Sequence, residues 1–144
     1  MIAASNWFAW ALLSAVFAAL TAIFAKIGLQ GVDSDLATLV RTGVIIVVLS
    51  AFVYFTGKWS NPLLLSLKTW SFLVLSGLAT GASWVCYFRA LKVGEASKVA
   101  PVDKFSLVLV ALFAVVFLNE RPSAQEWAGI ALVAAGVLVL AFKR

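Results

Sequence analysis

Histidine is absent from this 144-residue chain, and cysteine occurs once, as Cys86. The chain therefore lacks the commonest metal ligand and the usual proton carrier at neutral pH, and it can form no internal disulfide. A nucleophile with a matched base is also missing, because neither a histidine nor a close pair of carboxylates accompanies the serines and Cys86. We expect no metal site, no cofactor and no enzymatic activity.

Charge is scarce as well, since charged residues make up 12% of the chain and hydrophobic residues 64%. The mean hydropathy of +1.08 is too high for a soluble domain of this size. About 20 apolar residues suffice to cross the hydrocarbon core of a bilayer, and five runs reach that length. We predict an all-α polytopic membrane protein, one domain over residues 1–144, with five transmembrane helices at about 7–27, 36–55, 69–91, 97–118 and 125–142.

The eleven lysines and arginines outnumber the six acids and give a formal net charge of +5. They are scattered at the ends of the predicted helices and not clustered with exposed aromatics, so we expect no binding of nucleic acid. Five spans place the termini on opposite sides of the membrane, and eight of the eleven basic residues then fall on the C-terminal side. Discounting the deeply placed Arg41 and Lys104 leaves six against three. The positive-inside rule therefore predicts a cytoplasmic C-terminus.

Polar residues inside the apolar runs mark the candidate functional site, because a polar group within a membrane span needs a structural or functional reason. They concentrate between residues 77 and 106, in two antiparallel helices joined by a short loop, so their polar groups are expected at similar depth. Five of the six tryptophans lie near the N-terminal side, as an interfacial belt does, and Trp84 is the exception. The candidates in this stretch are Trp84, Tyr87, Asp103, Lys104 and Ser106.

Helix 2 adds two candidates. Arg41 lies roughly 8 Å inward from the start of this helix, deep enough to face protein or water. We expect Thr38, Thr42 and Ile45 on the same face, and we include Arg41 and Thr42 in the site. In helix 3, the GxxxG pair Gly77 and Gly81 predicts close helix packing.

Several candidates have a plainer interpretation. Lys26 and Arg89 suit interfacial anchoring and are the weaker candidates. Asp103 and Lys104 could instead stabilise a broken start of helix 4, where Pro101 sits in the first turn or marks a break. For Arg41, snorkelling toward the interface and a role in function remain open alternatives.

Three stretches carry a family resemblance, namely AKIGLQGVDSDLATLVRTG, GLATGASWVCYFRALKVGEASKVAPVDKFS and LNERPSAQEWAGIALVAAGVLVLAF. Together, and over nearly the whole chain, they resemble the EamA domain of the drug/metabolite transporter superfamily. The likeness is to its short, single-domain bacterial and archaeal branch. The resemblance implies a multi-pass protein of the prokaryotic cytoplasmic (inner) membrane.

The resemblance also implies a secondary transporter with alternating access, in which two five-helix repeats of opposite orientation face each other across a substrate path. This chain holds one repeat, so it needs a second half. That half is either a second copy, with an antiparallel homodimer slightly favoured, or another half-transporter chain. Membrane lipid and a small-molecule substrate are the other expected partners. The alternative is a non-transporting membrane subunit that supports a lipid-linked sugar flippase or another transporter.

Within the transporter interpretation, the candidates above line the substrate path. Arg41, Lys104 and Lys26 outnumber Asp103, the single acid predicted well inside a helix, which favours an anionic or zwitterionic substrate. Asp103 is the candidate for carrying a coupling proton. Because Lys104 stands next to Asp103, a site that selects bare cations is disfavoured there.

Overall fold

Five apolar helical spans make up most of the structure, a computed structural model that describes residues 6–142. Within that range all regular structure is helical, which confirms the predicted all-α class. A short 3₁₀ helix, Pro62–Leu64, lies before the third span. The α-helices are α1 (Asn6–Gly28), α2 (Ser34–Phe55), α3 (Leu67–Val93), α4 (Ala96–Asp103), α5 (Ser106–Leu118) and α6 (Ala124–Ala141).

Capping side chains explain where two of these helices begin. Asp33 Oδ1 accepts hydrogen bonds from the backbone N–H groups of Asp35 and Leu36, at 2.9 and 3.1 Å, and thereby satisfies donors that the first turn of α2 leaves unpaired. At the start of α6, Ser123 Oγ accepts from the Glu126 amide, and the Glu126 carboxylate accepts from the Ser123 amide at 2.6 Å. This reciprocal arrangement is a capping box. The polar connections therefore define the ends of apolar helices.

A left-handed residue ends α5. Asn119 has φ 54°, a conformation that asparagine tolerates better than most side chains, and the Glu120 amide donates back to the Ala114 carbonyl at 3.2 Å. Gly31, with φ +73°, allows a similar turn between α1 and α2. Both turns keep the connections short.

The fourth span, predicted at 97–118 with Pro101 in its first turn or at a break, is divided farther along the chain, because α4 ends at Asp103 and α5 begins at Ser106. At the break, the Lys104 amide donates to the Pro101 carbonyl and the Phe105 amide to the Val102 carbonyl, both at 3.0 Å. This three-residue spacing is the tighter 3₁₀ pattern. Pro101 remains inside α4, so the break follows the proline and does not fall in the first turn of the helix.

The helices group into two compact units. One unit is Phe24–Val93, in which α2 packs against α3 and Leu91 and Phe88 are buried. The other consists, within the described chain, of residues 6–23 and 94–142. In that unit α6 contacts both α4 and α5, and Ala114 and Val137 are buried.

The outer surfaces of the spans are apolar. Each span contains an 18-residue window with mean hydropathy between 1.4 and 2.3, and large side chains such as Val47, Val116 and Leu132 are exposed. In hydrocarbon such side chains need no cover from protein. The chain is therefore a multi-pass membrane protein, and its polar groups are what require explanation. Lys143 and Arg144, which contribute to the predicted cytoplasmic C-terminus, lie outside the described residues.

Candidate functional site

A groove between α2 and α3 carries polar groups along two apolar spans. Its volume is about 590 Å³, within the range of small-molecule sites in proteins. The α2 residues that line it follow the spacing i, i+3, i+4, i+7, which places them on one helical face. The lining residues are Asp35, Thr38, Leu39 and Thr42 from α2, and Leu73, Ser76, Gly77, Thr80, Gly81, Trp84 and Val85 from α3.

On both walls of the groove, threonine hydroxyls donate their hydrogens to carbonyls of the helix backbone. Thr38 Oγ1 donates to the Ser34 carbonyl at 2.8 Å, and Thr42 Oγ1 donates to the Thr38 carbonyl at 2.7 Å. On the opposite wall, Thr80 Oγ1 donates to the Ser76 carbonyl at 2.8 Å. A hydroxyl has one hydrogen and two lone pairs. These three oxygens therefore offer acceptors to the groove.

Asp35 is the one charged residue among those that line the groove, and Arg89 binds it through two hydrogen bonds. Arg89 Nε lies 2.9 Å from Asp35 Oδ1, and Arg89 Nη2 lies 2.6 Å from Asp35 Oδ2. The side chains remain 48% exposed for Asp35 and 61% exposed for Arg89. Arg89 therefore orients the carboxylate without burying it. This contact was not part of the anchoring interpretation of Arg89.

Two lysines bind backbone carbonyls within the same unit. Lys26 Nζ donates to the Leu91 carbonyl at 2.6 Å, and Lys92 Nζ donates to the Val32 carbonyl at 2.8 Å. Carbonyls in the last turn of a helix lack partners within the helix and attract cations, which explains the contact of Lys26 with α3. Lys26 thus has a contact inside the protein that interfacial anchoring does not require.

Arg41 stacks on two aromatic rings of α3. Its Cζ lies 4.3 Å from the centroid of the Trp84 ring and 5.2 Å from that of Phe88. Both distances fall within the roughly 6 Å over which a cation is attracted to a ring face. Arg41 is half-buried, and within residues 6–142 its guanidinium forms no ion pair with an acid. It faces protein, as its depth in α2 predicts.

Thr42 and Arg41, which were expected on one face of helix 2, point in different directions. Thr42 lines the groove, whereas Arg41 is not a lining residue and contacts Trp84. Successive residues of an α-helix differ by about 100° around the axis. The expectation of a shared face was therefore wrong for Thr42. Trp84 belongs both to the groove and to the contact with Arg41, because its side chain lines the groove and its ring stacks against the Arg41 guanidinium.

Tyr87 and the two glycines of the GxxxG pair have different surroundings. Tyr87 is half-buried beside Phe88, with 6.4 Å between the ring centroids, and it does not line the groove. Gly77 and Gly81 do line it, and beyond the adjacent backbone of α3 a Cβ at either position would meet no atom of the described chain within 4 Å. No helix of the described chain makes the predicted close approach at these glycines. Their role in helix packing stays a prediction.

Asp103, Lys104 and Ser106 belong to the other unit. Asp103 is the last residue of α4, Lys104 lies in the break, and Ser106 begins α5. Lys104 Nζ is 3.3 Å from Asp103 Oδ2, and the two side chains are 52% and 36% exposed. Their opposite charges compensate each other at the break. That these residues share a site with Trp84 stays a prediction.

Asp35 and Phe88 contact candidate residues, but neither was among the site residues predicted from the sequence. Asp35 lies in the first turn of α2, where an acid is usually explained by capping. The spacing of Asp35, Thr38 and Thr42 was a usable signal, since it places the three residues on one face. The contact of Phe88 with Arg41 depends on how α2 packs against α3, and no local pattern predicts it.

This fold and groove agree with a transporter family. Residues 5–142 match the EamA-like transporter family, and the chain belongs to that family. The resemblance noted from the sequence is confirmed.

Two relatives carry transporter names. The "Uncharacterized transporter in cobO 3'region" of Sinorhizobium sp is 57% identical over 136 residues, which cover 94% of this chain and 96% of that protein. The "Uncharacterized transporter YxxF" of Bacillus subtilis (strain 168) is 25% identical over 136 residues, which cover 94% of this chain but 42% of that protein. No solved structure shows a significant match to the chain.

Proposed function

We propose that the protein is a secondary transporter that moves a small polar metabolite, anionic or zwitterionic, across the prokaryotic cytoplasmic membrane. The observation that carries this proposal is the groove between α2 and α3, whose walls combine a carboxylate, threonine hydroxyls and Trp84 within two membrane spans. The names of both relatives favour a transporter over a non-transporting subunit.

The polar lining supports a solute path on physical grounds. Hydroxyl and carboxylate groups are costly against lipid, and within a membrane they are found facing water, a solute or other protein. The open space above Gly77 and Gly81 leaves room for a solute between the two walls. A groove of this kind offers a polar metabolite hydrogen bonds that replace part of its hydration.

We also propose that a second copy of the chain supplies the other half of the path. Secondary transporters of this type place their sites between two repeats and expose them to each side in turn. The Bacillus subtilis relative is long enough to hold a second segment beside the 42% that this chain matches. An antiparallel homodimer would create the same pair of repeats from two copies, one inserted in each orientation. Across all copies, we propose that the orientation with a cytoplasmic C-terminus is the more frequent one.

The proposed path includes candidates from both units. Trp84, Thr42, Arg41 and Tyr87 belong to the unit that contains the groove. Asp103, Lys104 and Ser106 are proposed to contribute from the other unit, with Asp103 carrying a coupling proton.

Counterflow in proteoliposomes tests the proposal. Vesicles loaded with a mixture of amino acids and organic acids are given the same compounds in labelled form, and accumulation of label is followed by mass spectrometry. We expect exchange of at least one compound, reduced about tenfold or more in Trp84→Ala because stacking and shape are lost. Asp103→Asn and Lys104→Ala are expected to reduce exchange as well. Glu95→Gln, which removes an exposed acid next to α4, is the control.

Two results would count against this account. If none of the compounds exchanges, the transport proposal fails for these substrate classes. If exchange is normal in Trp84→Ala, Asp103→Asn and Lys104→Ala, the proposed path is wrong. Each variant is compared at equal amounts of reconstituted protein, so that loss of folding is not mistaken for loss of transport.

A further inference from the structure

We infer that Asp35 binds an ammonium group of the substrate, so that the groove selects a zwitterion over a plain anion. This inference rests on the proposed function and narrows its substrate class. It assigns a specificity role to a residue whose position at the start of α2 otherwise suggests only helix capping.

The fixed charge on the groove wall is negative. Asp35 is the one charged lining residue, and the nearby cation Arg41 contacts the rings of Trp84 and Phe88 without lining the groove. Arg89 pairs with this carboxylate but does not line the groove, so an anionic group that entered would meet the carboxylate and a cation that is already engaged. Like charges repel, and the water around the half-exposed Asp35 weakens this repulsion without removing it. A cationic group is favoured for the same reason.

Arg89 leaves Asp35 able to bind a further donor. A carboxylate has about four lone-pair sites, and Arg89 uses one on each oxygen. Ser34 Oγ lies 3.5 Å from Oδ1, so Oδ2 keeps the less crowded position. Because both members of the ion pair are about half exposed, an ammonium group can bind beside Arg89 or replace it. Arg89 therefore competes with the ammonium group of the substrate for the Asp35 carboxylate.

Thr38 adds an acceptor close to the carboxylate. It lies one turn from Asp35 on the same face of α2, and its hydroxyl hydrogen is donated to the Ser34 carbonyl. An ammonium group has three N–H donors and no acceptor, so it needs several acceptors together. Asp35 Oδ2 and Thr38 Oγ1 are two such acceptors on the same wall.

The other lining residues indicate the chemistry of the rest of the ligand. Leu39, Leu73 and Val85 line the groove together with Trp84, and the volume of about 590 Å³ suits a small molecule with an apolar side chain. The ligand class is therefore a small zwitterion whose ammonium group binds at Asp35 and whose apolar part lies against these side chains.

Three probes with the same branched carbon skeleton separate the charge classes. L-leucine is the zwitterion, isocaproate lacks the ammonium group, and isoamylamine lacks the carboxylate. Binding is measured as the rise in melting temperature of the purified full-length protein in detergent, because a ligand of the native state stabilises it. We expect L-leucine and isoamylamine to raise the melting temperature and isocaproate to leave it unchanged.

Two variants with matched controls test the role of Asp35. Asp35→Asn keeps the shape and is expected to weaken binding of L-leucine about tenfold or more, because a charge-assisted contact is lost. Arg89→Gln keeps Asp35 and is expected to tighten binding roughly two- to fivefold, because the exposed competitor is removed. The controls are Glu95→Gln and Lys98→Gln, which remove the exposed acid and the exposed base of another ion pair. Neither variant should change the binding of L-leucine.

The inference is overturned if isocaproate stabilises the protein as well as L-leucine does, or if neither amine-bearing probe stabilises it. It is also overturned if Asp35→Asn folds and binds L-leucine normally, or if Arg89→Gln weakens binding. Counterflow with the same probes separates the inference from the proposed function. Exchange that survives in Asp35→Asn contradicts the inference alone, whereas Asp35-dependent binding without any exchange contradicts the transport proposal alone.

Discussion

A guanidinium within a membrane span is stable only where its surroundings replace water, and two ring faces serve Arg41 in this way. Each cation–π contact is worth about 0.5–2 kcal/mol, whereas removing a charge from water costs several kcal/mol. The rings of Trp84 and Phe88 therefore reduce this cost without cancelling it. We therefore propose that Arg41 has a role in function.

Replacing Arg41 tests this explanation. In Arg41→Leu we expect the melting temperature in detergent to stay within a few degrees of wild type or to rise, because the cost of holding a charge in the span disappears. Counterflow is expected to fall about tenfold or more. Arg121→Leu, in the exposed connection between α5 and α6, should leave counterflow unchanged. A parallel loss of melting temperature and counterflow in Arg41→Leu would instead assign Arg41 a structural role.

The candidate site was partly predictable residue by residue. Trp84 stood out because interfacial anchoring did not explain it, and it lines the groove. Thr42 also lines the groove, although it was selected for a face shared with Arg41 that the structure does not show. Asp35 did not stand out, because an acid at a helix start is usually explained by capping. Its importance arises from Arg89, 54 residues later, which reaches it only when α2 and α3 pack together.

At the scale of elements, the spans were predictable because each needs little more than an apolar run of sufficient length. Helix 3 was expected at 69–91 and extends over Leu67–Val93. The break at Lys104 and Phe105 was placed too early, because Pro101 was the only visible irregularity. Apolar residues continue on both sides of the break, so composition alone does not reveal it.

The capping box at the start of α6 gives a prediction about one element. Ser123→Ala removes the acceptor for the Glu126 amide and is expected to lower the free energy of unfolding by about 1 kcal/mol. Ser123→Thr keeps an acceptor and should retain most of that stability. Thermal unfolding in detergent measures both variants, with Ser60→Ala in an exposed loop as the control. Equal stability of Ser123→Ala and wild type would show that the box contributes nothing to the anchoring of α6.

For the whole molecule, membrane topology is open to direct measurement. With Cys86 replaced by serine, single cysteines are placed at Gln30, before α2, and at Lys58, after α2. We expect an impermeant thiol reagent to label Lys58→Cys in intact cells more strongly than Gln30→Cys, because the basic bias favours a cytoplasmic C-terminus for the majority of copies. Labelling of both positions from outside would indicate insertion in two orientations, as an antiparallel homodimer requires. Labelling of Gln30→Cys alone would reverse the predicted topology.

The proposed transport mechanism requires that the groove between α2 and α3 is accessible to water and forms part of the substrate path. The direct test is Gly81→Cys combined with Cys86→Ser, since a side chain at Gly81 meets open space in the groove. Wild-type Cys86 is the control, because it is exposed on α3 about 140° around the helix from Gly81.

A charged, water-soluble methanethiosulfonate reagent is applied to proteoliposomes before counterflow is measured. We predict that the cysteine at position 81 reacts and that counterflow is then lost, whereas wild-type Cys86 reacts little and counterflow continues, because thiolates form and react in water. An unreactive cysteine at position 81, or a fully modified one with normal counterflow, would contradict the assignment of the groove as the substrate path.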